Sequence, residues 1–504
     1  MIFGKKETAD VCLIVEGTYP YVSGGVSTWV HQVITAMPEV KFALYFLGAE
    51  PDPKAKLRYE LPKNLIARSE FYLFEKPKPM AAPGPDPAPA IAALRRALAA
   101  DPGDANAFAE ALAAIAKLGR GANLDRAWGE PAAWNLLTDL YEARAPGYSF
   151  IDFYWSAYFM AHPLWRLMAA LGSIPDAKVY HAICTGYAGA AGAVAARLRG
   201  VPLLLSEHGI YQKERLMEIQ KARWIRDRAP LHPGVFGEFG ALRQLWVSFF
   251  GALSGIAYAE AARIVSLFEN NARIQAEFGA DPNKITIIPN GVRPEEYDAT
   301  AAARRARLEA DPASQRIGFL GRVVSIKDVK TLLRAAAKVR ARCPAAEFII
   351  AGPTDEEPAY FEECQAMAQE LGLADAARFT GPMDRHDFFR EADVMVLTSA
   401  SEGLPFVIIE SFAAGVPVVA TDVGACRELI EGSGSDNPAG AVANIGDADA
   451  IAHHLIRLIE NPTLRDQMGQ NGRRRVEQSY TEAGVLEAYR ECYGAGQAAL
   501  PAVA

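Results

Sequence analysis

The chain has 504 residues, half of them apolar and 22% charged, a balance that excludes a disordered chain and fits a soluble globular protein of about two to four domains. Lys and Arg total 52 against 60 Asp and Glu, a formal charge of −8. That excludes a general binder of nucleic acid or other polyanions, so any anionic ligand must meet a local positive site.

The amino-terminal lysines are not followed by an apolar stretch, so no secretory signal is expected and the composition points to the cytoplasm. The cysteines Cys12, Cys184, Cys343, Cys364, Cys426 and Cys492 are scattered without a C-x-x-C pair. They read as reduced, mostly buried thiols rather than a disulfide framework or zinc site.

In chain order, short apolar runs at residues 11–15, 42–47, 179–183, 202–205 and 285–288 are separated by turns and helical stretches. A second series lies at 317–320, 348–351, 394–397 and 416–420. Apolar runs without polar alternation suit strands buried on both faces of a parallel sheet. Residues 328–342 and 356–371 have helical length and spacing, and strand–helix alternation predicts doubly wound α/β domains. Two series predict two such domains. The first spans about 1–290, the second about 291–475, and a C-terminal helical segment, 476–504, packs back on the first. The boundary falls at the turn cluster Pro289-Asn290-Gly291-Val292. A Pro/Ala-rich insertion at about 77–120 interrupts the first domain, with six prolines between residues 77 and 90. Residues 148–165 are aromatic-rich and read as a buried helix, with an acceptor-binding surface as the alternative. Residues 244–259 are uncharged but shorter than the ~20 a membrane span needs, so a buried helix is expected there too.

Four motifs carry chemistry. Gly24-Gly25-Val26 sits between a strand and a helix, where glycines let backbone N–H groups approach an anion; a plain tight turn is the alternative. Ser206-Glu207-His208-Gly209 directly follows a strand, so His208 lies at the end that faces the ligand crevice of an open sheet. His181, inside another predicted strand, is a weaker candidate for the same crevice. Gly321-Arg322 and Lys327 bring two cations to one strand–helix junction, a plausible diphosphate clamp in an acidic protein. Ser401-Glu402-Gly403-Leu404-Pro405, running on to Glu410, opens a helix with Pro405 expected in its first turn. Helix-start amides there would face an anion, and the two carboxylates would accept hydrogen bonds from sugar or ribose hydroxyls. The one D-x-D, Asp447-Ala448-Asp449, reads as a helix N-terminus, so no metal is expected to deliver the diphosphate.

These motifs, in this order, resemble the retaining glycosyltransferases of family 4, which have the GT-B fold of two Rossmann-like domains facing a cleft. The match is strongest over residues 317–430, and Glu402 and Glu410 reproduce the family's E-x7-E spacing. Glu16-Gly-Thr-Tyr-Pro-Tyr-Val-Ser-Gly-Gly-Val26 and Glu207-His-Gly-Ile-Tyr-Gln-Lys-Glu-Arg215 look like the PelF branch, the cytoplasmic transferases of Pel exopolysaccharide biosynthesis.

The resemblance implies transfer of a hexose or N-acetylhexosamine from a UDP-sugar to a polysaccharide acceptor, with retention and without a metal cofactor. It implies that Gly24 and Gly25 lie beside the donor diphosphate and that His208 contacts the transferred sugar. Arg322 and Lys327 would neutralise the leaving diphosphate. Glu402 would hold the sugar hydroxyls, the Gly403, Leu404 and Pro405 stretch would meet the distal phosphate, and Glu410 would bind the ribose. It also implies inner-membrane Pel synthase subunits as partners. Two departures stand out: Asp328 follows the lysine where the family often has glycine, and Leu404-Pro405 stands where it often has Phe-Gly. An epimerase or α-glucan synthase on the same fold, or a non-enzymatic nucleotide-sugar-binding scaffold, are the alternatives.

Overall fold

The computed structural model describes residues 8–22, 24–75, 84–99, 104–226, 239–432 and 437–498. The chain divides into two units, one of residues 1–287 with 489–504, the other of residues 288–488.

The first unit is built on a seven-stranded sheet. Its strands are β1 (Ala9–Glu16), β2 (Phe42–Gly48), β3 (Leu65–Tyr72), β4 (Ala177–Ala182), β5 (Leu203–Glu207), β6 (Ala261–Ser266) and β7 (Ile285–Ile287). They lie in the order β3-β2-β1-β4-β5-β6-β7, every neighbouring pair parallel. The second unit carries six strands: β8 (Arg316–Leu320), β9 (Glu347–Ala351), β10 (Ala377–Gly381), β11 (Val394–Leu397), β12 (Val418–Thr421) and β13 (Gly440–Ala443). Their order is β10-β9-β8-β11-β12-β13, again all parallel. Each sheet therefore reverses its winding once, between β1 and β4 and between β8 and β11, and such a reversal opens a crevice at the strands' carboxyl ends.

The central strands are apolar because both faces are covered. Val11 through Val15 and Val394 through Val396 are fully buried. The Tyr187–Arg199 helix lies so close to its sheet that side chains shrink to fit. A Cβ on Gly189 would meet the Cys184 carbonyl oxygen at 2.8 Å, and one on Gly192 would meet Leu203 at 2.9 Å. That helix stops at Gly200, which takes the left-handed conformation common just past a helix end.

Four strands lie outside the runs singled out in the sequence. β3 is an edge strand with a half-buried, mixed pattern, and β10 is likewise an edge strand. β6 follows without a loop from the Ala241–Glu260 helix, and β13 has only four small residues. The proline cluster before Gly84 lies outside the described residues. Beyond it, Ala88–Ala99 and Ala105–Leu118 are helices whose alanine-rich faces pack into the first core. Residues 244–259 lie within the Ala241–Glu260 helix, and no described helix is long and apolar enough to cross a membrane.

The aromatic segment forms the Phe150–Ala169 helix and is only half as expected. Phe153, Met160, Leu164 and Trp165 are buried, but Ile151, Trp155 and Phe159 stand 68%, 49% and 51% exposed. The chain ends in the helices Pro462–Ser479 and Glu482–Ala498, and from Tyr489 onward it counts with the first unit.

Candidate functional site

In the first unit the loops leave the carboxyl ends of β1, β4 and β5. Gly24 caps the Gly25–Ala36 helix in extended conformation, and Gly25 is that helix's first residue. A Cβ on Gly24 would meet nothing within 4 Å, so chain packing alone does not demand a glycine there. A cleft of about 410 Å³ opens beside β1 and β2, lined among others by Tyr21, Phe46, Tyr72, Lys54 and Arg58.

β5 delivers Glu207 and then His208. The Glu207 carboxylate is fully buried and meets four donors. Thr185 Oγ1 donates to Oε1 at 3.0 Å and the Tyr211 N–H at 3.3 Å, while the Tyr258 hydroxyl donates to Oε2 at 2.6 Å and Gln275 Nε2 at 2.9 Å. Ser254 Oγ donates in turn to Thr185 Oγ1 at 3.0 Å. Burial raises the Glu207 pKa above the ordinary carboxyl value, and the side-chain and backbone donors act against that. His208 packs edge-on against Trp29 with ring centroids 4.7 Å apart. Its Nε2 is buried and has no hydrogen-bond partner. Burial lowers its pKa to about 4, so the ring is neutral near pH 7.

His181 is different. It is fully buried, and both ring nitrogens are taken: Nδ1 lies 3.0 Å from the Tyr493 hydroxyl and Nε2 lies 2.8 Å from Ser206 Oγ. Ser206 Oγ also lies 3.2 Å from the Tyr489 hydroxyl. Desolvation, followed by the charge of His208, lowers the His181 pKa to about 3. The expectation that His181 contacts substrate is corrected here, because neither nitrogen is left to meet a hydroxyl. It fastens the last helix to β4 and β5.

In the second unit the crevice between β8 and β11 gathers the expected charges. The loop after β8 carries Arg322 and Lys327, and the loop after β11 carries Glu402. Lys327 Nζ donates to Glu402 Oε1 at 2.5 Å, with side-chain exposures of 18% and 11%. Ser399 Oγ donates to the same oxygen at 2.6 Å. The backbones are tied as well: the Ala400 N–H donates to the Ile326 carbonyl at 2.8 Å, and Thr398 Oγ1 to the Lys327 carbonyl at 3.0 Å. Arg322 is half exposed and pairs with Glu356, from the loop after β9, at 2.6 Å. Gly352 makes that approach possible. Its φ is +146°, and a Cβ there would collide with the Gly321 carbonyl.

Asp328 resolves one departure from the family pattern. It sits in the left-handed region at φ 45°, where glycine is the usual residue and Asp or Asn the tolerated ones. Its carboxylate caps the Val329–Arg342 helix, accepting from the Thr331 N–H at 3.2 Å and Thr331 Oγ1 at 2.6 Å. The charge is spent on the helix rather than on the Arg322 and Lys327 side.

Glu402 lies in the loop before the Phe406–Ala413 helix, and Glu410 lies on that helix. Pro405 is its cap residue, one position earlier than expected. The Gly403 carbonyl accepts from the Ala425 N–H at 2.9 Å and the Leu404 carbonyl from Asn290 Nδ2 at 2.9 Å, which fixes the turn. A Cβ on Gly424 would strike the Glu402 and Gly403 carbonyls, so the β12 loop presses directly on it. Glu410 pairs with Arg385 at 2.6 Å. Asp447 caps the Ala448–Glu460 helix and Asp449 pairs with Lys338 at 2.7 Å, as suits a helix start. Among the described residues no group of three or more His, Cys, Asp or Glu is placed to hold a metal ion.

The comparisons agree with this architecture. Residues 9–283 match the family described as Domain of unknown function (DUF3492), and residues 302–475 match Glycosyl transferases group 1. A D-inositol 3-phosphate glycosyltransferase of Rhodococcus opacus is 30% identical over 247 residues, covering 46% of this chain and 54% of that protein. The protein of the same name from Acidothermus cellulolyticus is 30% identical over 319 residues, covering 60% and 65%. The chain thus spans about half the length of the first of these curated relatives and under two thirds of the second. Anabaena HepE in complex with UDP superposes with a TM-score of 0.59 at 15% identity, over 96% of this chain and all of that one. A sucrose-phosphate synthase from Thermosynechococcus elongatus gives 0.57 at 17%, over 97% and all. Two parallel doubly wound sheets, charged strand ends at the β8/β11 reversal and these matches converge: the chain belongs to the family described as Domain of unknown function (DUF3492), and its residues 302–475 form a domain matching Glycosyl transferases group 1, on the GT-B fold.

Proposed function

We propose that the protein transfers a hexosyl or N-acetylhexosaminyl group from a UDP-sugar, with retention of configuration, to a growing exopolysaccharide of the Pel type. The observation that carries this reading is the Lys327–Glu402 contact beside Arg322 at the winding reversal of the second sheet. Cations concentrated at one strand-end crevice of an acidic protein suit a diphosphate. The uridine nucleotide is carried over from the Anabaena neighbour, which was crystallised with UDP.

Glycosyl transfer passes through an oxocarbenium-like state while negative charge grows on the leaving group. In this reading Arg322 and Lys327 meet that charge, joined by the amides at the start of the Phe406–Ala413 helix after Gly403, Leu404 and Pro405. Glu402, which already orients Lys327, accepts from sugar hydroxyls. Glu410 accepts from the ribose, and Gly24 and Gly25 leave room beside the diphosphate. His208, neutral and with an unpartnered nitrogen, meets a hydroxyl of the transferred sugar. The bond from the anomeric carbon to the phosphate oxygen breaks with its electron pair leaving on UDP. The acceptor oxygen bonds on the same face, and its proton passes to the departing phosphate. The local cations supply the compensation that a divalent ion would otherwise provide. The cleft beside β1 and β2, lined by Tyr21, Phe46 and Tyr72 together with Lys54 and Arg58, suits a hydroxyl-rich acceptor. The Pel reading adds inner-membrane synthase subunits as partners.

A panel of nucleotide sugars scored for UDP release, with and without acceptor, tests this. Release that rises with polysaccharide acceptor supports the reading. Acceptor-free conversion of the sugar nucleotide points to an epimerase, and UDP binding without release points to a scaffold. Preference for D-inositol 3-phosphate as acceptor would replace the exopolysaccharide with the acceptor named for the curated relatives.

A further inference from the structure

The sequence motif that presents His208 begins with a buried acid for which the transfer chemistry has no direct use. Glu207 ends β5, and its carboxylate is enclosed by groups from four different places: Thr185 after β4, Tyr211 at the start of the Tyr211–Lys221 helix, Tyr258 on the Ala241–Glu260 helix and Gln275 on the Glu269–Glu277 helix. Every one of these partners donates. A carboxylate has lone pairs for all four and no proton of its own to place, so the surroundings fit the ionised form. A buried charge is tolerated only when hydrogen-bonded this fully. A cluster that merely filled the core would need none of it, since apolar groups of the same shape stabilise as well or better.

The next residue is His208, whose ring rests on Trp29 and whose Nε2 has no partner in the protein. Nothing bonded to Nε2 holds that ring in direction. Its backbone is held from the preceding residue instead.

We propose that Glu207 is the positioning residue of His208: by drawing four elements onto the end of β5, it sets the direction in which the imidazole meets the donor sugar. This rests on the reading of His208 given above. Glu207 touches neither sugar nor diphosphate in this account and acts only through its neighbour.

Glu207→Gln keeps the shape but removes the charge and turns an amide donor toward groups that now donate, so at least one of the four bonds must reverse or break. The test measures UDP release from UDP-glucose and UDP-N-acetylglucosamine by the wild type, E207Q, H208A and the double variant. Loss of one hydrogen bond to a charged group should lower turnover by about ten- to hundredfold in E207Q, with KM for the donor nearly unchanged. In the H208A background the same substitution should cost less than about threefold, because the residue it positions is gone. Equal cost in both backgrounds would overturn the proposal and leave Glu207 a structural residue. A silent H208A would instead remove His208 from the proposed function, a distinguishable failure. Should E207Q not fold, Tyr258→Phe removes a single donor and should show the same non-additivity at smaller size. NMR titration of His208 gives a readout apart from activity. Its pKa should rise from about 4 toward the ordinary 6.5 in E207Q as the ring gains water, and an unchanged value would count against the proposal.

Discussion

The two sheets share a winding pattern, yet their strand ends are furnished in opposite ways. At the β8/β11 reversal the charges are paired with one another: Lys327 with Glu402, both largely covered, Arg322 with Glu356, both half exposed, and, in the same unit, Arg385 with Glu410. Exposed pairs such as Arg322 with Glu356 contribute little to stability, because solvent screens them and side-chain entropy opposes them. They can exchange partners when a more highly charged group arrives. At the end of β4 and β5 the polar groups are buried and committed. His181 uses both nitrogens and Glu207 accepts four bonds. The second unit carries charge that can be redirected, while the first carries geometry that is fixed.

The largest expected effect falls on the exchangeable charges. Lys327→Ala should lower kcat/KM by about 3–4 kcal/mol, because it removes a charge-stabilising donor and also leaves Glu402 unpaired. Arg322→Ala, at a more exposed position, should cost about 2–4 kcal/mol. Arg322→Ala should leave the thermal midpoint nearly unchanged, in keeping with an exposed pair, whereas Lys327→Ala should lower it, because the largely covered Glu402 loses its cation. Steady-state kinetics alongside calorimetry separates the two outcomes, and a large loss of stability in Arg322→Ala would break the contrast between the units.

The committed groups should show the reverse: an effect on stability that depends on pH. An unfolded histidine titrates near 6.5, whereas burial in the fold lowers the His181 pKa to about 3. Between those values the unfolded chain holds the extra proton, so stability rises with pH and is lost on acidification, by up to ~1.4 kcal/mol per pH unit. His181→Gln should remove that slope. Denaturant titrations between pH 6.5 and about 4 should show the wild type losing stability more steeply than the variant. Parallel curves would mean that His181 is not held neutral.

The smallest effect concerns Asp328. If its carboxylate serves the helix, Asp328→Gly should cost a few tenths of a kcal/mol, since glycine suits the left-handed backbone and loses only the cap. Asp328→Ala loses the cap and strains the backbone as well, and should cost about 1–3 kcal/mol. Faster UDP release in the glycine variant would return Asp328 to the diphosphate site.

The strand ends were legible in the sequence because short apolar runs mark where buried strands stop. Gly24, His208, Arg322 and Glu402 all follow such runs. The position of Glu402 before the helix and of Glu410 on it could be read from the proline and the spacing. Edge strands β3 and β10 escaped because one side of an edge strand is open and its residues need not be uniformly apolar. His181 was misread for a different reason. Its partners Tyr489 and Tyr493 come from the last helix, and no local pattern says that a helix some 300 residues later will close over a strand. The Glu207 network was hidden likewise, its donors being single residues on separate helices. Asp328 could have been placed from sequence, since Asp where relatives often carry glycine is a sign of left-handed backbone.

The central claim is that the second unit's own cations, not a divalent ion, meet the leaving diphosphate. It is tested most directly by UDP release from the preferred UDP-sugar in excess EDTA, comparing the wild type with the Arg322→Ala, Lys327→Ala double variant. The account predicts undiminished release by the wild type in EDTA and release by the double variant lowered by at least about a thousandfold. Activity that vanishes in EDTA and returns with magnesium, or a double variant that turns over like the wild type, would contradict it.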